Sequence, residues 1–80
     1  MQASIEISMY PLDKNYGTPI IAFINRLKAH PELRVESNTM STQVFGPYDE
    51  LMRIMTQEMK TSFEQEEAVV MVMKVINMAL

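Results

Sequence analysis

The chain contains no cysteine, one histidine and only two glycines, Gly17 and Gly46, in 80 residues. Without cysteine there can be no disulfide, no thiolate nucleophile and no zinc–thiolate site. Two isolated glycines cannot build a GxGxxG turn or a Walker-type loop. The lone His30 excludes a histidine-rich metal site, and no nucleophile-elbow pattern offers a Ser-His-Asp triad. Clustered positive charge is also lacking. Lys14, Arg26, Lys28, Arg34, Arg53, Lys60 and Lys74 are scattered, and the formal net charge is −3, so nothing neutralises a phosphate backbone. No segment approaches the ~20 continuous apolar residues of a membrane span. The start, Met-Gln-Ala-Ser-Ile-Glu-Ile, lacks the basic end and apolar run of a signal peptide. The expectation is a cytoplasmic protein with no cofactor and no nucleic-acid or membrane partner.

Eighty residues make one domain, spanning 1–80, near the size at which a single core barely suffices. Self-association is an ordinary way to bury more apolar surface. From Ala3 to Tyr10 the chain alternates: Ile5, Ile7 and Met9 point one way, and Ser4, Glu6, Ser8 and Tyr10 the other. That is a half-buried strand, ended by Pro11. Thr18-Pro19 reads as an N-cap followed by proline at the first helical position. Ile20, Ile21, Ile24 and Leu27 then recur at helical spacing with Phe23 beside them, and Pro31 stops the helix.

Leu33 to Phe45 reads as two strands around a Ser37-Asn38-Thr39 turn. In the second of these, Met40, Thr42 and Val44 are about as apolar as Ser41, Gln43 and Phe45, so either set could face inward; a bulge would reconcile them. A second helix runs from about Tyr48 to Glu66, with Asp49 and Glu50 in its first turn. Its apolar stripe is Leu51, Met52, Met55, Met59 and Phe63, with Ile54 alongside. Ala68 to Met78 is a nearly continuous apolar strand interrupted by Lys74. The order β-α-β-β-α-β predicts an α+β, ferredoxin-like sandwich: a four-stranded antiparallel sheet with two helices on one face.

Such a sheet leaves one face open. If Lys74 lies there, Val70, Val72 and Ile76 lie with it, and an apolar strip of that size is normally covered by another subunit. The expectation is a homodimer or homotetramer packed sheet to sheet, with polar residues gathered at one end of the interface. Candidate chemistry elsewhere has ordinary explanations. His30 at a helix end complements the dipole. Glu64-Gln65-Glu66-Glu67 reads as a solvated stretch, and most of the nine methionines fall at core spacing. Glu6 is different, because a carboxylate mid-strand on a covered face needs a partner. It pairs with Lys74 across the sheet, or lies exposed at a wet interface, or binds an amine-bearing or cationic ligand together with Ser8, Tyr10 and Asn38.

The segment Glu6-Ile7-Ser8-Met9-Tyr10-Pro11-Leu12 resembles the first-strand signature of the YkoF-like (MTH-type) family of small thiamine-binding proteins. Thr39-Met40-Ser41-Thr42, running on to Gly46, is similar to that family's Pro-Met-Gly-Thr turn, with Thr39 in place of proline and Ser41 in place of glycine. The segment from Met59 through Phe63 to Val69, Val70 and Lys74 resembles the family's second helix and last strand, so that the similarity covers about residues 3 to 76. The resemblance implies a ferredoxin-like fold, dimers or tetramers formed through the sheets, and non-enzymatic binding of thiamine or its hydroxymethylpyrimidine part. Carried over by position, the ligand-binding candidates are Glu6, Ser8, Tyr10, Asn38, Thr39, Met40 and Thr42. The rival expectation is a protein-interaction or regulatory module that uses the open sheet face and takes no small molecule. A Glu6–Lys74 pair closed by side chains alone favours that rival. A third is a small enzyme using Glu6 or Tyr10 for proton transfer.

Overall fold

Alternation of β-branched and polar residues makes the first element a long strand, β1 (Gln2–Pro11). In the computed structural model, which describes all 80 residues, it is followed by α1 (Gly17–Lys28), β2 (Arg34–Ser37), β3 (Thr42–Pro47), α2 (Tyr48–Gln65) and β4 (Val69–Ile76). The sheet order is β2-β3-β1-β4 and every pairing is antiparallel. Two βαβ crossovers around the β2–β3 hairpin place the helices over one face, the ferredoxin-like arrangement.

The core lies between sheet and helices. Ala3, Ile5, Ile7 and Met9 from β1 and Val44 from β3 meet Phe23 and Leu27 from α1, and Leu51, Ile54 and Met55 from α2. Val44 is therefore the inward residue of β3, with Thr42 and Gly46 beside it, while Gln43 and Phe45 look outward. The ladder pairs β1 with β3 residue for residue, so no bulge is involved. Thr42 can point inward because its hydroxyl meets the Ser37 hydroxyl at 3.2 Å. Gly46 sits in close packing: a Cβ there would lie 2.9 Å from Leu33 Cδ2 and 3.3 Å from the Glu32 carbonyl oxygen, so its neighbours would have to shift.

Three details depart from the sequence expectations. Thr18 is not the N-cap of α1: the helix already begins at Gly17, Tyr16 precedes it, and the Thr18 hydroxyl donates to Asn15 Oδ1 at 3.2 Å. Ile21 and Phe63 are exposed rather than packed. On α2 the buried line instead continues through two polar residues, Glu58 and Ser62.

Those two residues join the helices. Arg26 Nε donates to Glu58 Oε1 at 2.8 Å, and Arg26 Nη2 donates to the Glu58 carbonyl at 3.0 Å and to Ser62 Oγ at 2.6 Å. His30 Nε2 donates to Glu58 Oε2 at 2.8 Å. His30 is thus a partner of a buried carboxylate, beyond any role at its own helix end. Burial pushes the Glu58 pKa up, but the hydrogen bonds and charges of His30 and Arg26 outweigh it and hold the carboxyl below its ordinary 4.5.

Candidate functional site

β1 is longer than its neighbour β3, and this difference makes the site. Pairing between them ends at Ile7↔Thr42, whereas β1 continues against β4 to Pro11↔Val69. Ser8 to Pro11 therefore lack a strand on the β3 side, and the chain turning from β2 to β3 stands off from them. The gap is a cleft of about 320 Å³. Its walls are Ser8, Met9 and Tyr10 of β1, the 37–42 turn, and Tyr16, Ile20, Phe23 and Ile24 from the start of α1.

Of the residues singled out from the sequence, Ser8, Tyr10, Asn38, Thr39, Met40 and Thr42 all line this cleft. Asn38 shapes it: its Oδ1 accepts the Met40 N–H at 2.8 Å and the Ser41 N–H at 3.1 Å, and its own N–H donates to the Ser41 carbonyl at 3.1 Å. The side-chain oxygen is used up in closing the turn, which leaves the Asn38 amide NH2 as its free group. The Ser8 hydroxyl reaches only weakly toward the Met40 carbonyl, at 3.5 Å. Thr42 lies at the floor, and Met40 is almost fully exposed at the rim.

Glu6 lies outside this cleft. It lines a separate groove on the open sheet face with Gln43, Phe45, Lys74 and Ile76. Its Oε1 is 3.5 Å from Lys74 Nζ, and its Oε2 accepts the Ser41 hydroxyl at 2.9 Å. Ser41 Oγ in turn accepts from Gln43 Nε2 at 2.7 Å. Glu6 is thus one hydrogen bond behind the cleft wall. Tyr16, by contrast, lines the cleft and was not singled out. Its one signal is an aromatic residue placed in the polar connector Leu12–Gly17.

The open face is also ordered by register. Glu36, Gln43, Glu6 and Lys74 form one cross-strand row. Phe45 and Ile76 lie on one side of it, and Val72, Val70 and Tyr10 on the other. The polar residues accordingly form a central band, not a cluster at one end, because Glu6 falls opposite Gln43 and Lys74. Past β4 the chain folds back: Ser4 Oγ donates to the Met78 carbonyl at 2.6 Å and accepts the Leu80 N–H at 3.1 Å.

This architecture places the chain in a class, the small ferredoxin-like α+β domains, here with a cleft beside the β2–β3 turn. Neither the protein-family models nor the curated proteins include a match to the chain. Solved structures do match. A hypothetical protein of Methanocaldococcus jannascii superimposes with a TM-score of 0.82 at 24% identity, over 96% of this chain and 80% of that one. A Thermotoga maritima protein, provisionally assigned to thiamine biosynthesis or salvage, gives 0.86 at 14% identity over 98% and 85%. A Streptococcus pneumoniae protein gives 0.77 at 26% identity over 100% and 90%. These likenesses establish the fold, and they are consistent with the resemblance to the YkoF-like family. No helix is long and apolar enough to cross a membrane.

Proposed function

We propose that the chain is a non-enzymatic binding protein for thiamine or its hydroxymethylpyrimidine part, acting as a homodimer or homotetramer joined through its sheets. The observation that carries this reading is the single cleft in which Ser8, Tyr10, Asn38, Thr39, Met40 and Thr42 converge. Its volume suits one small heterocycle, at the lower end of the roughly 300–1000 Å³ of small-molecule sites. Hydroxyls of Ser8 and Thr39 and the free Asn38 amide would fix ring nitrogens, and Tyr10 or Met40 would pack on a ring face. No carboxylate, amine or imidazole lines the cleft, so the set of groups suits holding a ring more than transferring its protons. Glu6 would act through Ser41, whose hydroxyl it orients. Isothermal titration with thiamine and with hydroxymethylpyrimidine tests the reading: saturable heat at micromolar concentration or tighter is expected, and no heat with either discards the ligand.

A second reading has its own observation. Glu6 is met by Lys74 and Ser41 within the chain, and Val70, Val72 and Ile76 are about half exposed on the same face. That face suits a protein surface, and a second copy of the chain would cover it under either reading. Val72→Asp would place a carboxylate in the apolar part of such an interface, at a desolvation cost of several kcal/mol. The variant should elute as a smaller species than the wild type on size-exclusion chromatography. Elution at the wild-type position would put any interface elsewhere.

A further inference from the structure

We infer that Tyr16 and Tyr10 border a slot for one flat ring, from its helix side and its open-sheet side respectively, and that the slot selects ligands without phosphate. This rests on the binding function proposed above and names the class of ligand. Two observations carry it. Both tyrosines line the cleft, from the end of β1 and from the residue before α1, yet they are 53% and 62% exposed. A single exposed aromatic needs no explanation, but two opening on one cleft from different elements present a large apolar area that a ring would cover. The second is charge. No Lys, Arg or His lines the cleft, and α1 carries no basic residue in its first turns, so a phosphate entering there would lose its water without gaining a cation.

The chain on either side of Tyr16 is tied by hydrogen bonds. On one side of it Leu12 N–H donates to the Ala68 carbonyl at 3.0 Å and Asn15 N–H to Asp13 Oδ1 at 3.1 Å. On the other the Thr18 hydroxyl closes onto Asn15 at 3.2 Å.

The chain has no tryptophan and three tyrosines, so tyrosine emission reports the slot. The third, Tyr48, begins α2 at the far end of β1, where its N–H bonds the Met1 carbonyl at 2.8 Å. The test combines isothermal titration with inner-filter-corrected tyrosine emission, using thiamine and thiamine pyrophosphate on wild type, Tyr16→Ala and Tyr16→Phe. Thiamine should quench the wild-type emission saturably. Tyr16→Ala should weaken thiamine binding roughly 5- to 150-fold, the range of ring stacking on an aromatic wall. Tyr16→Phe should bind like the wild type, and thermal melting should be unchanged in both variants. Thiamine pyrophosphate should bind more weakly than thiamine. Unchanged affinity in Tyr16→Ala, or pyrophosphate binding as tight as thiamine, overturns the slot while leaving the binding function intact. Absence of wild-type binding to either compound overturns both, and the wild-type titration alone reveals it.

Discussion

Glu58→Ala should destabilise the domain by about 2–4 kcal/mol, measured by urea denaturation at neutral pH. Glu58 is only 5% exposed, and its carboxylate accepts from Arg26 and His30, each about one-fifth exposed. Alanine leaves both donors facing a gap between the helices, with only the residue-58 carbonyl and Ser62 still bonding Arg26. Partial exposure lets water replace some of the loss, which keeps the figure below that of a fully buried pair. The pH dependence follows from the depressed Glu58 pKa. A carboxyl held below its unfolded value stabilises the fold fully above that value, and the contribution disappears as pH falls through the folded one. The gap between wild type and Glu58→Ala should therefore be widest at neutral pH and narrow below about pH 4.5, the ordinary value. A gap of constant size from pH 7 to pH 3 would mean the ion network contributes only through packing.

Phe23→Ala should cost about 3–5 kcal/mol. Phe23 is buried in the core between the helices and the sheet, and it also lines the cleft. The Arg26 guanidinium lies 5.8 Å from the ring centroid, a further small contribution. A domain of 80 residues has a total stability of about 4–12 kcal/mol, at 0.05–0.15 per residue. Loss of the ring should thus remove a large share of it and lower the melting temperature markedly. Phe23→Leu retains most of the volume and should stay folded with a smaller cost, of about 1–2 kcal/mol. A Phe23→Ala variant as stable as the leucine one would show that the core collapses around the missing ring.

What the sequence made legible depended on whether the deciding contact was local. β1 was clear because one buried and one open face impose period two on Ala3 to Tyr10. Lys74 marked the open side of β4, since its charge cannot sit against the helices, and that carried Val70, Val72 and Ile76 with it. β3 was ambiguous because its inward Thr42 is polar, made tolerable by a hydroxyl contact with Ser37 across the turn. The Glu58 network could not be seen. Its partners Arg26 and His30 lie 32 and 28 residues away, and the apolar sequence of α2 points to Met59 and Phe63 instead. Within the candidate site, the structure brings Ser8 and Tyr10 beside the turn residues because β1 outruns β3, whereas from the sequence Thr39, Met40 and Thr42 stood only on the family resemblance. Glu6 fell outside for the same reason: it still lies where β1 is paired on both sides.

The most direct test of the cleft as the binding site is an amide chemical-shift titration of the 15N-labelled chain with thiamine. Binding in the cleft predicts saturable shifts at Ser8 to Tyr10, at Tyr16 and at Asn38 to Thr42, with β4 affected only at Val70 to Val72, which lie opposite Ser8 to Tyr10. Shifts confined to Glu6, Gln43, Lys74 and Ile76 would move the ligand to the open face. No shifts at saturating thiamine would contradict the account and leave the sheet face as the functional surface.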